Sequence, residues 1–360
     1  MRPQGLGAAL QNDRAGIALL SANAVCRPPK PGIMSAHTAR PVAASVGVGA
    51  YVHTEATFET VKSMPMIDEQ AAVLALTQAT HDGPWHDTAR AVAAAGSALK
   101  LLDGDIGDLH DDDRAHAAVI RGRVGSADLD RARKLIAAMR SLGVRLVTVL
   151  DEEYPGNMFW TNDYQPFLWV RGPIALDGHR VVAVVGEHDH EQAAAAARAL
   201  ADAGLTVVAP VHTACGATVL QSAAAAGGRT LGVLDEGLSR PPGRYANVTR
   251  RVAERGALVS AFWPETVAGE RTAALTPIVT CGLAALLYVA DGRGDGFSHR
   301  HVTKALRTGK HVFVPQRLHR EQPWVAEAGF RGGITAVQDT DDLCTQAVKV
   351  VDMDSRATMF

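Results

Sequence analysis

The stretch VVAVVGEHDHEQAAAAARALADAGLTVVAP, residues 181–210, decides the fold. Val181–Val185 form a short, continuous apolar run, the pattern of a strand covered on both faces. An alanine-rich helix former follows and ends at Gly204, a residue type that closes helices. LTVVAP is a second apolar strand. A strand, one glycine and a helix ordinarily place a phosphate at the helix N-terminus, where unpaired N–H groups and the dipole favour negative charge. Here Gly186 is followed by Glu187, His188, Asp189 and His190, most of which repel a phosphate or fail to hold one.

The same alternation extends outward. VRLVTVL (144–150), FLWVRG (167–172), RTLGVLD (229–235), GALVSAF (256–262), AALLYVAD (284–291) and HVFVP (311–315) are apolar runs set between helix-forming segments. Gly204, Gly227 and Gly256 are read as helix C-caps ahead of short connections. The expected fold class is therefore α/β: an extended Rossmann-like, doubly wound and mostly parallel sheet.

A small helical domain precedes it. MIDEQAAVLALTQAT (66–80) has apolar residues at helical spacing behind an acidic first turn. HDGPWHD breaks the pattern, and TARAVAAAGSALKLL (88–102) resumes it. DGDIGDLHDDD (103–113) is read as a solvated turn, because it lacks the ligand spacing of a calcium loop. SADLDRARKLIAAMRSLG is a further helix, with Ser126 as N-cap and Gly143 as C-cap. The expected organisation is an unassigned extension over 1–62, a helical domain with its connecting helix over 63–143, the Rossmann-like domain over 144–345, and a helix end and tail over 346–360.

Composition narrows the class. The chain has 360 residues, 47% hydrophobic and 21% charged, with a net charge of −2. No global basic field points to nucleic acid, although a local arginine stripe can sit on a neutral protein. The four cysteines, Cys26, Cys215, Cys281 and Cys344, have no CxxC spacing and read as free thiols of a reducing cytoplasm. No apolar run reaches the roughly 18 residues that a membrane span needs. GIALLSANAVC (16–26) is a poor secretory signal, since valine precedes the cysteine; a disordered or mis-assigned extension is the expectation.

Ligands of such sheets sit beyond the C-terminal strand ends, at the reversal of strand order. That singles out Glu187 and His188, His212 and Thr213, Asp235 and Glu236, Phe262 and Trp263, and Asp291 onward. Neither a GxGxxG fingerprint nor a P-loop is present.

From about residue 66 to 345 the order and spacing resemble the DprA/Smf family of bacterial DNA-processing proteins. The carrying segments are DEEYPGNMF with QPFLWVRGPIAL, then VVAVVG, ALADAGLTVVAP, AAAAGGRTLGVLDEGLSRPPGRYANVTRRVAERGALVSAF and ALRTGKHVFVP. The resemblance implies single-stranded DNA as a partner, RecA as the recombinase to be loaded, a role in recombination and DNA uptake, a homodimer, no cofactor and no catalysis. It also exposes departures. The family's Gly-Ser-Arg becomes Gly186, Glu187 and His188; its Ser-Gly and Gly-Ile-Asp positions become Ala209, Pro210, Ala214, Cys215 and Gly216. Its Arg-Asn-Arg becomes Leu275–Ile278, and its Gly-Ser-Leu-Ile-Thr becomes Phe297–His301, where Ser298 survives. The small hairpin of its helical domain corresponds to His81–Trp85, where Trp85 is read as packing.

Three functional readings compete. In the first, the protein still handles single-stranded DNA through a weakened or relocated groove supplied by Arg240, Arg244, Arg250, Arg251, Arg255, Arg271, Arg293, Arg300 and Arg307. In the second, the crevice holds a nucleotide-like ligand on main-chain N–H groups, or a metal on His188, His190, His212, Cys215, Asp291, Asp295, His299 and His301. In the third, the protein is a partner-binding paralogue that has lost DNA. The residues expected to bind DNA or ligand are Gly186, Glu187, His188, His212, Thr213, Gly216, Arg244, Asp291, Arg293, Ser298, His299 and Arg300. No catalytic residue is assigned. Cys215 begins a helix, which can lower a thiol pKa, but a buried structural thiol is the expected reading.

Overall fold

The computed structural model describes residues 55–80, 85–105, 109–174, 180–240 and 245–357. The expected N-terminal extension as far as residue 54, the segment His81–Pro84 and Arg244 lie outside the described residues.

Five helices come first: α1 (Glu55–Gln78), α2 (Trp85–Ala95), α3 (Ala98–Asp103), α4 (Asp111–Arg121) and α5 (Ser126–Ser141). α1 begins ahead of the start expected at Met66. Glu69 ties α1 to α3, since Oε2 accepts the N–H groups of Ala98 and Leu99 at 2.7 and 3.3 Å. The acidic run 111–113 belongs to α4 and not to a solvated turn. Carboxylates in a first turn complement the helix dipole, and Asp113 is buried there against Arg90 Nε at 2.5 Å. α5 is capped one residue earlier than expected, with Asp128 accepting the N–H of Gly125 at 2.8 Å.

The remainder alternates. β1 (Arg145–Thr148), a short 3-10 helix (Gly156–Trp160) and β2 (Phe167–Arg171) lead into β3 (Val181–Val185), α6 (His190–Asp202), β4 (Thr206–Pro210), α7 (Ala214–Ala225) and β5 (Thr230–Val233). Then come α8 (Ala246–Arg255), β6 (Ala257–Ser260), α9 (Glu270–Leu283), β7 (Leu286–Val289), α10 (Phe297–Arg307) and β8 (His311–Pro315). α11 (Gln316–Glu321), α12 (Pro323–Ala328), β9 (Ile334–Val337) and α13 (Thr340–Ala357) complete the order.

These strands form one sheet in the order β1-β2-β6-β5-β4-β3-β7-β8-β9. β1–β2 and β2–β6 pair antiparallel, and all other pairs are parallel. The expected mostly parallel α/β sheet is what forms, with β9 as an additional edge strand.

Both faces are covered, as the continuous apolar runs require. Val181, Ala183 and Val185 pack into one hydrophobic cluster, while Val182 and Val184 pack into the other. Leu168 and Val170 likewise face one cluster, and Phe167 and Trp169 the opposite one. Successive side chains of a strand point to opposite faces, so every position of β3 contributes to a core. Each such valine is worth about 1.5–3 kcal/mol on full burial.

Gly204 and Gly227 end their helices in the left-handed region, at φ 75° and 81°. Gly256 does not: its φ is −144°. What it satisfies is proximity, since a Cβ there would lie 1.8 Å from the carbonyl oxygen of Thr230.

β3 and β7 are neighbours, with β4, β5, β6, β2 and β1 to one side and β8 and β9 to the other. Strand order therefore reverses between Gly186 and Asp291, and a crevice opens beyond those two strand ends.

Candidate functional site at the strand-order reversal

Main-chain donors line this crevice, and side-chain oxygens occupy them. Asp291 follows the end of β7. Its Oδ1 accepts the N–H of Glu187 and its Oδ2 the N–H of His188, each at 2.8 Å. A carboxylate offers two oxygens to two donors much as a phosphate does. The anion-binding loop is therefore filled from within.

Glu187 does the same for α10. Its Oε1 accepts the N–H of Ser298 at 2.9 Å. A Cβ at Gly296 would stand 2.2 Å from that oxygen, so the glycine is what lets the carboxylate reach the helix start. At α6, Asp189 Oδ1 accepts from the N–H of Gln192 at 3.0 Å, and its Oδ2 accepts from Arg317 at 2.5 Å. At α7, Thr213 Oγ1 accepts the N–H of Gly216 at 2.9 Å. Gly216 lies so close to β4 that a Cβ would meet the Pro210 carbonyl oxygen at 1.9 Å. The N-termini of α6, α7 and α10, which border the crevice, thus each have a main-chain N–H held by a side chain of the chain itself.

Behind these caps the thiol of Cys215 is buried and not activated. Burial, followed by the charges of Asp291 and Asp189, pushes the Cys215 thiol up to about 12. The lowering of a thiol pKa by a helix start is thus outweighed. His301 is buried, its Nδ1 lies 3.0 Å from the carbonyl oxygen of Phe297, and burial brings its pKa down to about 4. A carbonyl only accepts, so Nδ1 carries the proton and donates. The ring of Phe297 packs between His301 and His212, at centroid distances of 4.3 and 5.7 Å. His212 Nδ1 lies 4.0 Å from Asp235 Oδ1, and burial followed by the neighbouring Asp235 raises the pKa of Glu236.

Of the expected binding residues, Glu187, His188, Asp291 and Ser298 come together in one hydrogen-bonded group packed against Gly186, which His212 joins through Phe297. Thr213 and Gly216 form a separate cap. His299 turns away and sets its ring edge-on to Trp324 at 5.1 Å. Arg293 and Arg300 are exposed, on the loop after β7 and on α10. Among the described residues, no three His, Cys, Asp or Glu side chains converge as a metal centre would require. The eight residues entertained as ligands are dispersed or already engaged, Asp291 with main-chain N–H groups and His301 with a carbonyl.

Sequence reasoning missed two features. One is the Asp189–Arg317 pair, which joins α6 to α11. The other is an aromatic group of Trp85, Phe167 and Trp263 beyond the end of β6, with centroids 5.1–6.2 Å apart. The only signal for the second was the position of Phe262 and Trp263 at a strand end.

A profile of the family described as DNA recombination-mediator protein A matches residues 145–348. No curated protein matches the sequence. Among solved structures, DNA processing protein A from Streptococcus pneumoniae superposes with a TM-score of 0.53 at 17% identity, covering 72% of this chain and 95% of that one. DNA processing protein A from Helicobacter pylori, described for its single-stranded DNA binding mode, superposes with a TM-score of 0.50 at 17% identity, covering 57% of this chain and 96% of that one. Both share the fold described above.

Proposed function

The chain belongs to the DNA recombination-mediator protein A family, and on that premise we propose that it is a non-enzymatic DNA-processing protein that binds single-stranded DNA by a path displaced from the strand-order reversal. Delivery of that strand to RecA during recombination and DNA uptake, a homodimeric state, a cytoplasmic location and the division into a helical domain over 63–143 and a Rossmann-like domain over 144–345 belong to the same reading. No described helix is long and apolar enough to cross a membrane.

One observation carries the displaced path: Asp291 holds the N–H groups of Glu187 and His188. A phosphate entering there would have to break two hydrogen bonds to an ionised acceptor and then face two carboxylates at close range. Cations remain available outside the crevice. Arg250 and Arg251 are exposed on α8, and Arg293, Arg300 and Arg307 on and before α10. A set of exposed arginines tracks a phosphate backbone without reading sequence.

The same saturated donors also favour a second reading, a paralogue that keeps the fold and acts through a partner without DNA. Fluorescence anisotropy of a labelled poly-dT strand, at roughly 50 and 200 mM salt, separates the two. Binding that weakens steeply with salt supports the first reading. No binding at the lower salt overturns it and leaves the second.

A further inference from the structure

A cavity of about 400 Å³ lies beyond the C-terminal end of β6, between the first half of α9 and the segment that precedes β2. It opens on the same edge of the sheet as the strand-order reversal, three strands away from β3. Its walls include Trp85, Phe262 and Trp263, with Gln165 and Thr266 as neutral polar groups, Asp163 held in an ion pair with Lys304, and the exposed Arg271 at its rim.

Two properties suit this cavity to a planar ring. Trp85 and Trp263 are half-buried, so each indole is partly uncovered. They are also fixed in place: they meet edge to face at 6.2 Å and 85°, and the fully buried Phe167 supports them at 6.0 and 5.1 Å. A platform held this way loses little side-chain freedom when a ligand stacks on it. The volume falls within the roughly 300–1,000 Å³ of small-ligand sites, which are mostly apolar with a few polar groups.

Resting on the single-stranded DNA reading, we propose that this cavity receives one unstacked nucleobase of the bound strand, stacked on Trp263 while Trp85, perpendicular to it, borders the base, with its phosphate toward Arg271. Stacking needs no positive field, because every base has a π-face. It therefore provides affinity on an edge where Glu187 and Asp291 work against phosphate. Gln165 and Thr266 supply both donors and acceptors, so the pocket accommodates any base edge.

The test compares a dT strand of roughly 20 nucleotides with an abasic strand of equal length and charge. Both are titrated into full-length protein carrying Trp160→Phe, because Trp160 is 57% exposed and would report its own quenching. Trp169 and Trp324 are 0% and 8% exposed, so fluorescence changes then report Trp85 and Trp263. The expected result is indole quenching by the dT strand alone and binding at least about ten-fold tighter than to the abasic strand. Trp263→Leu should abolish that gap and leave abasic binding unchanged. Should Trp263→Leu fail to fold, the quenching in the Trp160→Phe protein decides. Equal affinities without quenching overturn the pocket and leave the single-strand reading intact. Failure of both strands to bind overturns both.

Discussion

Asp291 and Glu187 are 104 residues apart in sequence, and Asp291 Oδ1 accepts the main-chain N–H of Glu187 at 2.8 Å. The bond clasps the ends of β3 and β7 at the point where a nucleotide-binding fold of this architecture holds phosphate. Glu187 then extends the clasp to α10 through Ser298. Two carboxylates thereby close the crevice in series.

Asp291→Ala should open that clasp. Hydrogen bonds to a charged group contribute about 1.5–3 kcal/mol each when buried, and this half-buried pair should together cost on the order of 2 kcal/mol. For a chain of this size that is a fall of roughly 3 °C in melting temperature. The freed N–H groups then form an anion site, so millimolar sulfate should restore part of the loss in the variant and leave the wild type unmoved. Equal stabilisation of both proteins by sulfate would show that Asp291 does not occupy the site.

Restoring a cationic entrance tests whether DNA runs past the crevice at all. The triple change Glu187→Ser, His188→Arg and Asp291→Asn removes two negative charges and adds one positive charge. If the strand passes within a Debye length, about 10 Å at 0.1 M salt, affinity for poly-dT should rise at least about ten-fold at low salt and the gain should shrink as salt rises. An unchanged affinity would place the strand's path away from the reversal, as the arginines of α8 and the aromatic cavity beyond β6 suggest.

Local pattern was enough for the sheet because β3 is buried at every position. Val182 and Val184 serve one face and Val181, Ala183 and Val185 the other, and only a two-sided sheet gives an unbroken apolar run a place. Ile334–Val337 escaped because three of its four residues are only half-buried and its edge position leaves no such signature. The Asp111–Asp113 run escaped because composition alone does not distinguish a solvated acidic turn from the acidic first turn of a helix. At the site, sequence position identified Glu187, His188 and Asp291 as crevice residues, but not that Asp291 bonds to the other two. Such a bond depends on the β3–β7 register, which places Val185 beside Val289 and is fixed by tertiary packing. The Trp85–Trp263 contact joins elements far apart in sequence and leaves no local signature either.

His301 should set part of the acid limb of stability. Burial holds its folded pKa near 4, against about 6.5 in an unfolded chain. Below pH 6.5 the unfolded state takes a proton that the folded state refuses, so stability falls with acidification from pH 6.5 to 4 and this contribution levels off below. The full effect is about 3 kcal/mol. His116 and His311, whose pKa values burial also lowers, add in the same direction. Denaturant melts at pH 7, 5.5 and 4 should show a shallower decline in His301→Gln than in the wild type. Parallel declines would mean that His301 does not titrate in this window.

Lys310 makes the last prediction, because its charge is buried without a carboxylate beside it. Its Nζ donates to the carbonyl oxygens of Cys281, Gly282 and Ala284 at 2.5, 3.2 and 2.5 Å, and to that of Asn157 at 3.4 Å. The first three are carbonyls at or just beyond the C-terminus of α9, where a cation is favoured by the dipole and the last carbonyls lack helical partners. Burial opposes that gain and brings the amine down to about 8, with Cys281 raising it and Lys304 lowering it further. At pH 7 the ammonium therefore persists and donates. Lys310→Met keeps the apolar stem and deprives these carbonyls of a donor, which should cost on the order of 3 kcal/mol. The pH signature has the opposite side of neutrality from His301. Between about 8 and 10.5 the unfolded lysine keeps a proton that the folded one releases, so wild-type stability should rise with pH relative to the variant across that window. A Met variant as stable as the wild type at pH 7, with no such divergence above pH 8, would show that the helix end is satisfied by other means.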